Sequence, residues 1–342
     1  MTTQSDATGL LREEIYPGNT KTFADLKSFL EAGHVIAFTG AGVSAPTYPM
    51  WTTLLSKLVN DAIEEGLIND QGEIDEYQKL IHTDPLELAS NLEEIFTRKV
   101  FRARLAKSFS NLNGHATESQ AAISRLKLRG IITLNYDNGH EAAFAAAQSR
   151  SPNVGRSQDE STLMRWLQDE VFKDHDLPIL HFHGDVSDPE QMILTADDYD
   201  RFYAERLPDI LIKQLWRSNR LFVIGFGFSD PVLTRVMEGA LRSIPSDIRH
   251  FALIGKKENE TVSAISRKSF TKKFRLAPIF YEVRSNVDGT PDHSDLIKLL
   301  NILPKPDLSK SIELVSDGVR TQIVRIADDK SALAPTRELS SI

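Results

Sequence analysis

His34–Trp51 reads HVIAFTGAGVSAPTYPMW. Val35-Ile36-Ala37-Phe38 is an apolar run of strand length with no polar position to mark a solvent face, so it fits a strand covered on both sides. It runs directly into Thr39-Gly40-Ala41-Gly42-Val43-Ser44. Two glycines there let the backbone turn sharply and come close to a ligand. A helical pattern begins near Trp51. Strand, tight glycine turn and helix form a unit whose open N–H groups can hold a pyrophosphate. Gly40-x-Gly42-x-x-Ala45 also fits the loose dinucleotide fingerprint. The alternative for the same residues is a βα turn without a ligand.

Working outward, Thr22–Ala32 carries Phe23, Leu26, Phe29 and Leu30 at helical spacing and stops at Gly33. After the glycine turn, Thr52–Glu65 places Leu54, Leu55, Leu58, Val59 and Ile63 on one face. Ile74–Ile81, Pro85–Phe96 and Arg98–Phe109 continue as charged helices with no strand between them, so residues 66–110 read as a helical insert. Thr117–Leu128 is helical and leads into a second buried run, Gly130–Leu134. Asn135-Tyr136-Asp137 ends that run, Gly139–Ala147 is a helix and Ser149–Asp159 a loop. Leu163–Phe172 is helical. Pro178–Gly184 and Leu221–Ile224 are further strands, the latter breaking into Gly225–Pro231. A helix Val232–Ser243, strands His250–Ile254 and Ile279–Val283, the intervening helix Thr261–Phe274, and a last helix Asp292–Leu303 complete the pattern.

Strand and helix alternate, which predicts an α/β fold: a doubly wound, Rossmann-like parallel sheet. Residues 1–21 read as an arm, 22–303 as the nucleotide-binding domain and 304–342 as a tail. Asp317-Gly318 marks a possible hairpin over 312–326. In such sheets ligands bind at the carboxyl ends of the strands. Gly40–Ser44, Asn135–Asp137, His183-Gly184 and Gly225–Asp230 all fall on that rim, and one shared cleft is the economical reading.

The 342 residues carry 40 Lys and Arg against 48 Asp and Glu, a net charge of −8. Broad phosphate-backbone binding is therefore not expected, and no direct nucleic-acid role is assigned. Cysteine is absent, which removes disulfides, thiol nucleophiles and thiolate zinc sites. Met1–Gly9 does not read as a secretory signal, and the apolar run Leu221–Phe228 is too short to span a bilayer. A cytoplasmic protein without a membrane anchor is expected.

Together the clusters resemble the sirtuin superfamily. Thr39–Ser44 looks like its first nucleotide-binding motif, Thr133-Leu134-Asn135-Tyr136-Asp137 like its T-x-N-x-D motif, His183-Gly184 like its His-Gly pair, and Gly225–Asp230 like its ribose-contacting turn. The chain departs from the deacylases in having no zinc cysteines and in reading Tyr48-Pro49-Met50-Trp51 where they carry Pro-Asp-Phe-Arg. Pro49–Leu55, Leu194–Tyr199 and Gly225–Pro231 look instead like the sirtuin-like NAD-consuming effectors of bacterial anti-phage systems. That resemblance implies a sirtuin-type fold without a zinc module and hydrolysis of NAD+, as substrate, to ADP-ribose and nicotinamide. It also implies a homo-oligomer and a partner protein, a HerA-type ring ATPase being the nearest analogue. The helical insert and the tail are the surfaces expected to carry assembly.

The chemistry of the residues agrees. Cleaving the N-glycosidic bond passes through an oxocarbenium-like state, and the nicotinamide leaves as a neutral base. The Asn135 amide both accepts and donates, which suits a ribose hydroxyl and a water. His183 is a candidate base near neutral pH, and Asp137 a candidate to orient a neighbour or stabilise positive charge. Gly40, Ala41, Gly42 and Ser44 would hold the pyrophosphate, with Asn135, Asp137, Gly225, Gly227, Ser229 and Asp230 completing the nucleotide site. Each has a duller reading. Asn135 also reads as a cap for the next helix, His183 as a strand-end histidine satisfied by backbone, and Asp230 before Pro231 as a residue that only shapes a turn. Trp51 reads as packing. His181 and His183 share a strand face, but no third ligand stands at metal spacing, so no metal is assigned. Alternatives in function are an NAD-dependent lysine deacylase or a non-enzymatic NAD- or ADP-ribose-binding assembly subunit. An ordinary dehydrogenase is disfavoured, because Asn60–Glu65 reads as helix where the acidic strand end should be.

Overall fold

Val35–Thr39 is buried at every position and sits near the middle of an eight-stranded sheet. The computed structural model describes residues 9–110, 114–173, 176–226 and 250–306, together with 315–316 and 321–322. In chain order the strands are β1 (Val35–Thr39), β2 (Gly130–Thr133), β3 (Asn153–Arg156), β4 (Pro178–His181), β5 (Arg220–Ile224), β6 (His250–Lys257), β7 (Leu276–Ser285) and β8 (Pro291–Asp292). The helices are α1 (Asn19–Glu31), α2 (Trp51–Glu64), α3 (Gln71–Thr83), α4 (Pro85–Phe96), α5 (Arg98–Ser110), α6 (Glu118–Ser124), α7 (Gly139–Gln148), α8 (Glu160–Leu167), α9 (Ala196–Ala204), α10 (Arg206–Ser218), α11 (Ala264–Phe274) and α12 (Ser294–Asn301).

The strand order is β3-β4-β2-β1-β5-β6-β7-β8. All pairs are parallel except β7–β8. β2, β4 and β3 lie on one side of β1 and β5 to β8 on the other, so the chain crosses over after β4 and the strand order reverses between β1 and β5. This is the switch point at which an α/β sheet opens a crevice.

Successive β1 side chains alternate between two core layers. Ile36 and Phe38 pack with Ile132, Leu180, Val223 and the apolar faces of α8, α9 and α10. Val35 and Ala37 pack with Ile131, Phe222 and residues of α1, α6 and α12. Phe38 meets Trp216 edge-on at 5.4 Å, an aromatic pair of the kind that adds about 0.5–1.5 kcal/mol beyond area burial. α1 stops where Gly33 takes φ +71; the Gly33 and His34 N–H groups then donate to the Leu30 and Phe29 carbonyls, closing the helix end.

α2 to α5 form a separate apolar cluster in which Leu54, Leu58, Leu88, Leu92, Phe101 and Leu105 pack together with Met192 and Leu194. Asp70 and Asp84 cap α3 and α4, and Pro85 occupies the first turn of α4. Arg102, fully buried, ties this cluster to the segment after β4 through Asp198 and the Met192 carbonyl.

Three features depart from the sequence reading. The expected loop Ser149–Asp159 contains the edge strand β3, whose short, partly exposed NVGR has neither alternation nor a buried run to reveal it. α9 and α10 fill a stretch to which the periodicity assigned no helix. β8 pairs antiparallel with the end of β7, where only two residues join the ladder. The expected helix Val232–Ser243 lies outside the described residues.

The chain divides into two units, Met1–Pro304 and Lys305–Ile342. In the second, Val315–Ser316 pairs antiparallel with Thr321–Gln322, while Asp317-Gly318 lies outside the described residues.

Candidate functional site

Because β4, β2, β1 and β5 lie side by side and parallel, the segments leaving their carboxyl ends meet at one rim. They bound a cleft of about 590 Å³ whose lining includes Gly40, Ala41, Asn135, His183, Gly225 and Phe226 on the sheet side. Trp51, Ile81 and Leu86 of the helical region face them across the opening. This volume is in the range of small-molecule and cofactor sites. Trp51 lines the cleft as well as packing against Tyr136 at 6.5 Å.

The turn after β1 is keyed into the turn after β5. The Gly42 N–H donates to the Gly225 carbonyl at 2.9 Å and the Gly40 N–H to the Ile224 carbonyl at 3.0 Å. A Cβ on Gly225, which has φ +76, would lie 2.6 Å from the Val43 nitrogen, and one on Gly40 would lie 2.6 Å from the Phe226 ring. These positions accept glycine for steric reasons, whatever binds beside them. The turn is a 3₁₀ turn over Ala41–Val43, and the N–H groups of Val43, Ser44 and Ala45 also close on its own carbonyls. Only the Ala41 N–H lacks an acceptor among the described residues. The turn therefore presents one open donor where the sequence suggested an array.

Asn135 follows β2 and is 7% exposed. Its Nδ2 donates to the Gly40 carbonyl at 3.0 Å and to Ser44 Oγ at 2.7 Å. A carbonyl only accepts, so the nitrogen must face Gly40. Oδ1 is left without a partner among the described residues, on a residue that lines the cleft. The Asn135 N–H donates to Thr133 Oγ1 at 3.1 Å. The side chain does not cap α7; the residue at that N-cap is Asn138.

Ser44 and Asp137 belong to a buried network. Ser44 Oγ donates to Asp137 Oδ2 at 2.6 Å and accepts from Asn135 and from Gln120 Nε2. Asp137 Oδ1 accepts from Gln120 Nε2 at 2.7 Å and from the Gly139 N–H at 2.9 Å. The Ser44 hydroxyl hydrogen is thus committed to Asp137, and Asp137 to holding Ser44 and Gln120. Both line the cleft, but their polar atoms act through Asn135. Gln120, which the sequence reading did not single out, is fully buried and completes a capping box with Thr117; the Thr117-x-x-Gln120 spacing was its one signal.

His183 is 1% exposed. Tyr203 Oη lies 2.8 Å from its Nε2 and Tyr199 Oη 3.3 Å from its Nδ1. Both tyrosines come from α9 at i, i+4 spacing, which was their sequence signal. Burial pushes the imidazole down to about 3, so it is neutral at physiological pH and a weaker base than the sequence alone suggested. Gly184, at φ +75, turns the chain away where a Cβ would meet the Gln191 carbonyl at 2.9 Å.

The expected shared face of His181 and His183 is not seen: the His181 ring is engaged by Glu141 of α7 and the Asn135 carbonyl, whereas His183 meets the tyrosines of α9. No cluster of three or more metal-ligating side chains occurs among the described residues. Gly227, Ser229 and Asp230 lie outside them, and no helix among them is long and apolar enough to cross a membrane.

Residues 129–279 match the family described as SIR2-like domain. The chain is also similar to proteins named NAD(+) hydrolase ThsA from three bacteria. The relative from Enterococcus faecium is 23% identical over 306 residues, 85% of this chain and 59% of the relative. That from Bacillus cereus (strain MSX-D12) is 26% identical over 230 residues, covering 65% and 43%. That from Acinetobacter baumannii (strain 532279) is 28% identical over 214 residues, covering 61% and 39%. The chain spans about three-fifths or less of the length of these relatives.

Proposed function

We propose that this chain hydrolyses NAD+ to ADP-ribose and nicotinamide. The observation that carries the reading is the Asn135 side-chain oxygen Oδ1, without a partner among the described residues and oriented by the Nδ2 bonds to Gly40 and Ser44, in a cleft at the switch point of a sirtuin-like sheet. The similarity to proteins named NAD(+) hydrolase supports it.

In the reaction, the bond between the ribose anomeric carbon and the nicotinamide nitrogen breaks, and its electron pair leaves with the neutral base. A water oxygen bonds to the oxocarbenium carbon and releases one proton. Asn135 Oδ1 accepts a hydrogen bond from that water or from a ribose hydroxyl, holding it in position. Water bonded to such a carbon becomes strongly acidic, so a weak acceptor is enough. Both His183 nitrogens face tyrosine hydroxyls, so the ring would take that proton through a tyrosine hydroxyl, which passes its own proton to the imidazole and accepts one from the water. Ala41 supplies its open N–H toward the nucleotide phosphates.

The motif resemblance to anti-phage effectors extends the proposal to a toxic, NAD-depleting role, switched on by self-assembly or by a HerA-type ring ATPase. Incubating the purified protein with NAD+, alone and with the product of its neighbouring gene, and following nicotinamide by chromatography tests both parts. Release from neither mixture would sink the hydrolase reading. Release unchanged by the partner would sink its regulatory part.

A further inference from the structure

His181 ends β4, pairs in register with Thr133 of β2 and has no exposed surface. Its Nδ1 lies 3.1 Å from the Asn135 carbonyl oxygen and its Nε2 lies 2.6 Å from Glu141 Oε1. A carbonyl and a carboxylate only accept, whereas a neutral imidazole has one N–H to give. Satisfying both contacts therefore needs a second proton on the His181–Glu141 pair.

The groups facing the ring decide which partner holds it. Glu141 and His140 come from α7, Asp185 follows β4, and Arg156 of β3, the register partner of His181, is ion-paired with Asp185. Burial works against charging His181, but the Glu141 carboxylate, with Asp185 behind it, outweighs that penalty and raises its pKa. Burial likewise works to raise Glu141, and His181 outweighs it, so the carboxyl is lowered. Glu141 Oε2 is buried with no hydrogen-bond partner among the described residues; the imidazolium is then the compensation for burying that carboxylate.

We infer that His181 is a positioning residue for Asn135, held as an imidazolium by Glu141, and that nicotinamide release declines on the alkaline side as this ring loses a proton. The inference rests on the hydrolase reading for its effect on turnover. When the proton leaves, the remaining N–H stays with the carboxylate. A ring lone pair then faces the Asn135 carbonyl, and the repulsion displaces the residue whose side chain aims Oδ1 into the cleft. A misplacement near 1 Å is enough to cost ~10²-fold in rate.

The test combines two measurements on the full chain. Nitrogen-15 NMR of histidine-labelled protein, with His181→Gln used for assignment, reads the charge of the ring without reference to activity. Both His181 nitrogens are expected to keep imidazolium shifts above neutral pH, and to lose them at lower pH in Glu141→Gln. The pH profile of kcat is expected to show an alkaline limb that moves to lower pH in Glu141→Gln and is absent in His181→Gln, with KM little changed. A pyridine-like nitrogen on His181 at neutral pH would overturn the inference, as would an alkaline limb unmoved by Glu141→Gln. Wild-type protein that releases no nicotinamide at any pH would overturn the hydrolase reading instead, and the nitrogen shifts would still decide the charge of His181. Glu141→Gln keeps an acceptor at Oε1, so the inference stays testable if His181→Gln does not fold.

Discussion

The Ser44 hydroxyl donates to the Asp137 carboxylate at 2.6 Å across the mouths of β1 and β2, and through it the two loops share one hydrogen-bond network. Ser44 Oγ also accepts from Asn135 Nδ2 and Gln120 Nε2. Removing it in Ser44→Ala leaves buried donors and an acceptor without partners, and an unsatisfied buried group costs about 1–3 kcal/mol. A lower melting temperature is expected together with slower nicotinamide release. Ser44→Ala that melts as wild type does would show the network to be dispensable for stability.

At Asn135 the two conservative-looking substitutions should differ. Asn135→Ala removes the cleft-facing oxygen and is expected to slow turnover by ~10²-fold, with the fold retained. Asn135→Asp keeps that oxygen but puts an acceptor against the Gly40 carbonyl, now 3.0 Å from Nδ2. It should therefore lose stability as well as rate. Circular-dichroism melts beside nicotinamide assays separate the two, and an Asn135→Asp protein as stable as wild type would contradict the assigned amide orientation.

Two left-handed glycines give an internal control for the turn. Gly33 has φ +71 with nothing within 4 Å of an added Cβ, whereas at Gly225, φ +76, the Cβ would meet Val43 backbone at 2.6 Å and the Gly40 carbonyl at 2.9 Å. Gly33→Ala should cost about 1–2 kcal/mol from backbone strain alone. Gly225→Ala should cost more and also weaken NAD+ binding, because the Gly40–Ser44 turn must move. Denaturant titration and equilibrium binding would check this; equal losses in the two variants would mean that the turns are not keyed together.

These relationships mark how far the sequence could be read. β1 was legible because a run buried on both faces needs no polar alternation, and the rim positions of Asn135 and His183 followed from parallel topology. Asp137, Ser44 and Gly42 were legible as residues but not in their bonds: one-dimensional spacing cannot show that the Ser44 hydrogen points at Asp137 or that the Gly42 N–H closes on Gly225. Gln120 and Tyr203 were missed, and Tyr199 was read only as part of the Leu194–Tyr199 stretch, for a related reason. Each is an ordinary helical residue until the fold carries it to a loop distant in sequence. His183 looked like a base near neutrality because burial has no local sequence signature.

One fully buried cation braces the helical region. Arg102 is fully buried and donates from Nε to Glu93 at 3.0 Å, from Nη1 to the Met192 carbonyl at 2.7 Å, and from Nη2 to Asp198. Burial works to raise the Asp198 carboxyl, and Arg102 with neighbouring N–H groups more than offsets this, leaving it lowered. Arg102→Ala removes the fully buried partner of Asp198 but leaves it Arg98 and Arg201, so the loss should fall below the about 3–5 kcal/mol of a buried carboxylate stripped of every partner. Denaturant titration should show this loss, and Asp198→Asn on the same background should recover part of it. No recovery in the double variant would mean that Arg102 acts through the carbonyls alone.

Acid should unfold this protein through its neutral buried histidines. Burial pushes His183 and His250 down to about 3 and His140 down to about 4. A histidine with a depressed folded value stabilises the native state above its unfolded value. That contribution is lost as pH falls below the unfolded value, because the unfolded chain then binds protons that the folded chain refuses. The loss approaches about 1.4 kcal/mol per pH unit for each such group and continues until the folded values are reached. His250 isolates the effect from the cleft. Its Nδ1 accepts the Leu221 N–H at 3.1 Å and its Nε2 is buried without a partner among the described residues, so a non-titrating His250→Gln protein should lose stability less steeply on acidification. Melting temperatures measured from neutral pH downward give the slopes, and parallel slopes for wild type and His250→Gln would rule His250 out as a proton-linked site. The same shift means that His183 stays unprotonated across pH ~5 to 8, so nicotinamide release should show no acidic limb near the ordinary histidine value arising from this ring. An acidic limb there that disappears in His183→Gln would contradict the depressed value.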